Sequence, residues 1–359
     1  MEYSLLKEIN KKSLAGYLQN RPTPPNFWPD FFPPKTTPFL TYESLIGSKG
    51  NPVAADIVAY NASAPIKKRK VVSKLTGDIP AIRVKRDMKE TDINTYNVLK
   101  AMATPDQKAI LDLVFNDVDF VYDSVQARME WLALKILSYP YLTLSKSTND
   151  GIVTEAAIDF GMPSTNKKYA AVVWSATAST TTPITDFINV VAAASALGVS
   201  LKYALMNTTQ WGQFAASAET QNYTIGSVYG GNRIKLTPTL AQANDMLASR
   251  GLPEIIIIDK TVTIETGEGV QSNVKPWTTN YVTFIPDLAV GNMNFGPIAE
   301  ETNPPKQAVQ VKQNNVLISK FSDVDPVTEW TKGETNAFPS WHRVDECFSL
   351  LTTSASAWA

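Results

Sequence analysis

Between Thr104 and Leu137 the chain carries one uninterrupted apolar stripe, and few architectures accommodate it. Ile110, Val114, Val118, Val121, Val125, Met129, Leu132 and Ile136 follow one another at spacings of four, four, three, four, four, three and four. That is the repeat of a single helix face. Thr104-Pro105-Asp106-Gln107 reads as a capping box with proline at the first helical position, and Pro140 blocks continuation. The pattern predicts one helix over residues 105–137, ~50 Å long at the usual rise per residue. The stripe lacks heptad spacing with charged flanking positions, so a coiled coil does not account for it. A helix of that length has to lie along a sheet or another element for its whole extent.

The chain ahead of this helix has a different character. Residues 3–18 form a short helical candidate, followed by Arg21-Pro22-Thr23-Pro24-Pro25-Asn26-Phe27-Trp28-Pro29-Asp30-Phe31-Phe32-Pro33-Pro34. Prolines at this density block helix and central strand alike. The aromatic residues Phe27, Trp28, Phe31 and Phe32 set the segment apart from a polar disordered linker. Extended backbone with large apolar anchors predicts an arm, residues 1–50, lying across a surface of its own subunit or of a neighbour. Residues 51–97 hold the main basic concentration, Lys67, Lys68, Arg69, Lys70 and Lys74, then Gly77-Asp78 and the strand-like run Ile79 to Arg86. Two extended runs around a glycine-containing turn read as a long hairpin with few contacts to its own chain. Its basic run is either a solvated loop or a patch for a polyanion or a neighbouring subunit.

After residue 138 the pattern is α+β. Strand candidates are Tyr141–Ser145, Ile152–Phe160, Leu201–Met206, Glu254–Asp259 and Tyr281–Pro286; helix candidates are 184–197, 207–217 and 239–250. Glu254-Ile255-Ile256-Ile257-Ile258-Asp259 has the length and branching of a buried strand and follows a helix ended by Gly251. A compact mixed domain is expected over about 165–300. The last segment offers strands at Ala308–Gln310 and Val316–Phe321 and an apolar run near 344–352, expected to return onto the long helix.

Composition narrows the chemistry. Of 359 residues 44% are apolar and 19% charged, enough for roughly two or three domains, and the net charge is −1. A duplex reader normally carries a basic excess, since phosphate neutralisation supplies much of its affinity. One cysteine, Cys347, and one histidine, His342, leave no internal disulfide and no zinc-spaced cluster. Cys347 sits in an apolar run and is expected in the core. Neither a nucleophile elbow nor a Walker loop is present, and Gly267-Glu268-Gly269 lacks a third glycine and the strand–helix setting. No cofactor, metal or catalytic site is expected, although a carboxylate-only enzyme is compatible with these residues. The charged N-terminal residues lack a signal-peptide core and no apolar run spans a bilayer, which predicts a soluble protein of a reducing cytosol.

Arm, hairpin, long helix, mixed domain and chain return occur in the order of the Hong Kong 97-type fold of tailed-phage capsid proteins. Local residues resemble the lambda-like branch, the major capsid protein E family. Pro80 with Ile82-Arg83-Val84-Lys85-Arg86 resembles its extended-loop return. Trp174 with Thr185-Asp186 is similar to the start of its first axial-domain helix, and Met206-Asn207 with Trp211 and Phe214 to its next strand-to-helix step. Pro286-Asp287, Val290-Gly291-Asn292 and Phe295-Gly296 resemble its late axial segment; Ser319-Lys320-Phe321, Asp325-Pro326-Val327 and Thr331 resemble its return to the peripheral domain. The resemblance covers about residues 40–352. It implies an α+β Hong Kong 97-like fold with N-terminal arm 1–50, extended loop 51–97, peripheral domain 98–164 and 301–359, and axial domain 165–300. It implies a shell protein forming hexamers and pentamers of an icosahedral head around double-stranded DNA, assembled in the host cytoplasm. Implied partners are further copies, a portal, a separate scaffolding protein and a decoration protein, with DNA touched non-specifically and no membrane. A bacterial nanocompartment shell shares the fold, and a phage tail or adhesin component is a further reading. Candidate subunit-interface residues are Phe27, Trp28, Phe31, Phe32, Lys67, Lys68, Arg69, Lys70, Arg83, Lys85 and Arg86. Some relatives by fold join a hairpin lysine to an asparagine of a neighbouring subunit; Lys67, Lys68, Lys70 and Lys74 could supply such an amine, but the resemblance to the lambda-like branch implies no crosslink.

Overall fold

The computed structural model describes residues 10–22, 25–46, 73–102, 107–145, 149, 156–225, 237–265, 269–305, 308–325 and 327–353, with the side chains of 44–46, 73–75, 107–114, 156 and 225 excepted. The arm holds α1 (Lys11–Asn20), the single turn α2 (Trp28–Phe31) and β1 (Pro34–Thr36). Next come β2 (Thr41–Ile46), β3 (Ser73–Asp78), β4 (Ala81–Met88), α3 (Glu90–Ala101) and the long α4 (Gln107–Ser138). The middle of the chain holds β5 (Tyr141–Leu144), β6 (Ala156–Asp159), β7 (Lys167–Tyr169), α5 (Pro183–Ala196), β8 (Tyr203–Met206), α6 (Thr208–Ala216), α7 (Ala218–Ile225), α8 (Leu240–Ser249) and β9 (Glu254–Ile257). The remainder holds β10 (Val262–Glu265), β11 (Gln271–Val274), β12 (Tyr281–Ile285), β13 (Asn292–Phe295), α9 (Ala299–Thr302), β14 (Val309–Gln313), β15 (Val316–Val324), β16 (Val327–Ser340) and β17 (Phe348–Leu351).

Two sheets organise these elements. The first runs β1-β13-β16-β15-β14, with β4 also paired to β16, and α4 lies across it. The second runs β7-β17-β12-β8-β9. Its inward side chains Phe284, Val282, Phe348, Leu350 and Met206 meet Phe187 of α5, Phe214 of α6 and Leu247 of α8 in one core. A separate core gathers α1, α2, α4 and the first sheet. The long helix matches its expected bounds within about two residues. Val118, Val121, Val125, Met129, Leu132 and Ile136 of the stripe are each at most 3% exposed. Its capping box (Thr104 to Asp106) and the side chains of Ile110 and Val114 lie outside the described residues.

Three expectations change. The hairpin pairs β2 with β3 (Thr41↔Asp78 to Ile46↔Ser73), so Gly77 is a strand position and not its turn. Gly77 faces Tyr42 in that register, and a Cβ there would meet the Tyr42 ring at 2.8 Å, so close cross-strand approach is what requires glycine. Residues 81–101 are not part of a projecting loop. β4 pairs with eight residues of β16, and Met88, Ile93 and Tyr96 are buried in the chain's own core. Finally, the last apolar run, expected to return onto the long helix, is a strand of the second sheet. β17 inserts between β12 and β7 of the second, while β13, within the expected axial range, belongs to the first.

Candidate assembly surfaces

The proline–aromatic arm lies on its own subunit. Beside its apolar stripe α4 carries a polar one, Asp119, Asp123, Gln126 and Glu130, at spacings of four, three and four. Tyr17 donates its hydroxyl to Asp119 Oδ2 at 2.6 Å, and its ring stacks on Phe115 at 4.1 Å. Arg21 reaches Asp119 at 3.3 Å and Asp123 at 2.7 Å. The Trp28 indole N–H donates to Gln126 Oε1 at 3.1 Å. Glu130, fully buried, accepts the backbone N–H of Phe27 at 3.0 Å and of Trp28 at 2.9 Å. Burial pushes the Glu130 carboxyl above the usual range, and those two N–H groups oppose the shift. Trp28, Phe31 and Phe32 are therefore not free to anchor on a neighbour: they are 6%, 2% and 0% exposed, and Phe27 is half-buried. Prolines limit the segment to the single turn α2, and it is fastened to the chain's own helix α4.

Replacing Glu130 with alanine should leave two buried N–H groups without an acceptor, costing about 1–3 kcal/mol each. Faster proteolytic cleavage in residues 20–33 is expected, with a smaller effect for Glu130→Gln, which keeps one acceptor. Unchanged cleavage in Glu130→Ala would mean that this carboxylate does not fasten the arm.

The first sheet sorts its charges onto two faces, because successive strand residues point in opposite directions. Opposite Thr331 of β16 stand Lys320 of β15 and Arg86 of β4, so all three share the face under α4. Glu329, two residues away on β16, shares it too. Lys320 and Glu329 are fully buried, and Asp117 of α4 is 8% exposed. Asp117 bonds Arg86 at 3.2 Å and lies, with Glu329, in Coulombic reach of Lys320. Burial lowers the Lys320 ammonium, opposed by Glu329 and Asp117, and raises the Asp117 carboxyl, opposed by Lys320 and Arg86. The chain of alternating charge, Glu329, Lys320, Asp117, Arg86, thus ties helix to sheet. On the other face Arg83 meets Glu334 at 3.2 Å, Lys332 bridges Glu334 and Glu300, and the Lys85 ammonium sits 3.6 Å from the Trp330 ring centre. Arg83 and Lys85 are exposed and Arg86 half-buried, so these candidates present partly engaged side chains at the surface. Lys67, Lys68, Arg69 and Lys70 lie outside the described residues.

The second sheet's helical layer starts where Trp174 meets Asp186. That carboxylate is 2% exposed; it accepts the Trp174 indole N–H at 2.8 Å and the Ala171 N–H at 3.0 Å. Asn207 caps α6 by accepting the N–H of Gln210 at 3.0 Å, and Trp211 stacks on the buried Phe214 at 6.0 Å. Cys347 is buried in the core, as its apolar run suggested, and burial pushes its thiol up. His342 is half-buried, its Nδ1 3.5 Å from the side-chain nitrogen of Asn292. Among the described residues no three His, Cys, Asp or Glu side chains gather as a metal site, and no helix is long and apolar enough to cross a membrane.

Comparison with known proteins agrees with the geometry. No curated protein matches the sequence. A chain assigned as the capsid protein of a prophage in Escherichia coli CFT073 superposes with a TM-score of 0.56 at 14% identity, covering 96% of this chain and 99% of its own. A phage-related protein from Bordetella bronchiseptica RB50 gives 0.54 at 10% identity, covering 98% and 99%. The architecture is that of Hong Kong 97-type capsid proteins, with α and β elements mixed as expected. Residues 11–352 match the sequence family described as phage major capsid protein E, and the chain belongs to that family.

Proposed function

We propose that the chain is the repeating unit of an icosahedral phage head, assembling as hexamers and pentamers around packaged double-stranded DNA. The observation that carries this reading is the family match over residues 11–352. The sheet crossed by α4 would form the peripheral domain and the sheet under α5 to α8 the axial domain, with the β2–β3 hairpin as the extended loop. The subunit works by mutual packing, without a catalytic site or cofactor, and its place is the virion capsid after assembly in the host cytoplasm. A portal, a separate scaffolding protein and an outer decoration protein are its further partners, and DNA is touched non-specifically. The near-neutral charge of −1 supports a container over a sequence reader. Electron microscopy of the protein made with its neighbouring phage genes should show closed, uniform shells; a discrete monomer or small oligomer under those conditions would sink the proposal.

We place Lys67, Lys68, Arg69 and Lys70, with Arg83, Lys85 and Arg86, at subunit junctions or over the packaged polyanion. Changing the four residues 67–70 to serine should leave subunit melting within about half a kcal/mol, as exposed substitutions usually do. Shell yield should fall in a salt-dependent way, because exposed charge contacts are screened. Light scattering across an ionic-strength series measures it, and identical assembly of variant and wild type at every salt would remove the role.

A further inference from the structure

An ammonium withdrawn from water is costly unless a carboxylate answers it, and this chain supplies that answer at two lysines but not at a third. Lys320, fully buried, has Glu329 and Asp117 in Coulombic reach. Lys332, its side chain 16% exposed, bridges Glu300 and Glu334. Lys135, in the last turn of α4, is half-buried. Burial lowers its ammonium, and among the described residues no charged neighbour opposes that shift. Its one hydrogen bond among the described residues runs to Thr278 Oγ1, at 3.2 Å. An ammonium has three protons to donate, so two have no acceptor there. A lysine so near a helix end commonly answers the last carbonyls. Here other donors reach them: the Lys135 carbonyl accepts the Tyr139 N–H at 3.2 Å and lies 2.9 Å from the Ser138 hydroxyl, and the Leu137 carbonyl accepts the Thr283 hydroxyl at 2.8 Å.

We infer that Lys135, positioned by Thr278, is a receptor for an oxyanion, whose oxygens accept the remaining protons of the ammonium. The cation stands on a fixed base. Its helix neighbours Leu134, Ile136 and Leu137 are fully buried. Thr278 is tied to the end of α4 through Ser138, also fully buried: the Thr278 N–H donates to Ser138 Oγ at 2.9 Å, and the two hydroxyl oxygens lie 2.9 Å apart. A site held this way is organised before its ligand arrives. The ammonium has already lost part of its water on folding, so an arriving anion meets a charge less screened than that of an exposed lysine. Half-burial of Lys135 and Thr278 leaves a side open for approach. The same chemistry has two sources, a free inorganic oxyanion such as phosphate or a carboxylate side chain of a second copy.

The test compares the wild type with Lys135→Met, which removes the charge at similar length, and Lys135→Arg, which keeps it. The purified subunit is melted in chloride and in phosphate at matched ionic strength, and general salt effects cancel between variants. In chloride Lys135→Met should melt at or above the wild type, because a cation without a counter-charge is gone. A marked drop would show that the subunit itself already satisfies the ammonium, and would overturn the inference. Phosphate should raise the wild type and Lys135→Arg by about 2 °C more than Lys135→Met, the order of shift that a tenfold excess over the dissociation constant gives. Without that difference, shells in chloride are challenged with denaturant. Earlier dissociation of Lys135→Met shells, from a subunit no less stable, assigns the anion to a carboxylate of a second copy. Equal melting responses and equal shell stability mean a solvated lysine only, and the receptor is then abandoned. Melting needs no shells, so failure of the wild type to assemble would remove the functional reading while the phosphate comparison still decides the site.

Discussion

Gly291→Ala is expected to destabilise the subunit by ~3 kcal/mol or more, beyond the ordinary range for overpacking. A Cβ at this position would lie well inside contact distance of the Ser340 carbonyl oxygen and 2.6 Å from two Phe32 ring atoms. Neither neighbour can yield cheaply. Ser340 is the end of β16 and pairs with Asn292, while Phe32, of the arm, is fully buried. The backbone here is also committed: Val290 N–H and Gly291 N–H both donate to the Phe31 carbonyl, at 3.0 and 3.3 Å, and Arg343 N–H donates to the Val290 carbonyl at 3.1 Å. One methyl group therefore strains the arm, β13 and β16 together. Chemical denaturation of the purified subunit measures the effect, with insolubility the extreme form. A midpoint within about half a kcal/mol of wild type would show that the three segments do not converge there as closely as described.

What could be read ahead of the structure depended on whether the determining interactions were local. The long helix was legible because its stripe repeats within one segment. Three of the second domain's helices, α5, α6 and α8, were legible for the same reason and fall within about two residues of their expected bounds, whereas α7 was not foreseen. β16, the strand that organises the first sheet, was missed. Its face under α4 reads Glu329, Thr331, Gly333, Thr335, so the positions that are buried are polar or small and show no apolar alternation. Their burial depends on partners more than two hundred positions away in sequence. The arm illustrates the opposite case. Its aromatics announced anchors, but nothing local could say which surface they met. The stripe Asp119, Asp123, Gln126, Glu130 was the available signal: acceptors repeated along a helix face call for donors, and Tyr17, Arg21 and the N–H groups of residues 27 and 28 supply them. β17 is buried on both faces, and such a strand does not reveal which sheet it joins.

The interface residues divide in the same way. Aromatic side chains were read as contacts between subunits because they sat in extended backbone, and three of them are core residues of their own chain.

Val121→Asp should prevent accumulation of soluble subunits. Val121 is fully buried at the crossing of α4 and β16, where a Cβ on Gly333 would come within 2.9 Å of the Val121 carbonyl oxygen. Helix and sheet touch backbone to backbone here, leaving no room for a carboxylate to reach water. Asp117 lies one turn away on the same helix and already answers the nearby cations, Lys320 and Arg86, so a second carboxylate would add repulsion rather than a partner. An unpaired charge in such a place costs on the order of several kcal/mol, a large part of the stability of an ordinary domain. Asn116→Asp provides the control: it adds the same charge to the same helix at an exposed position and should stay within about half a kcal/mol of wild type. Soluble yield and chemical denaturation of the two variants compare them directly. Shells formed at normal yield by Val121→Asp would mean that α4 does not lie on β16, and the architecture built on that contact would have to be abandoned.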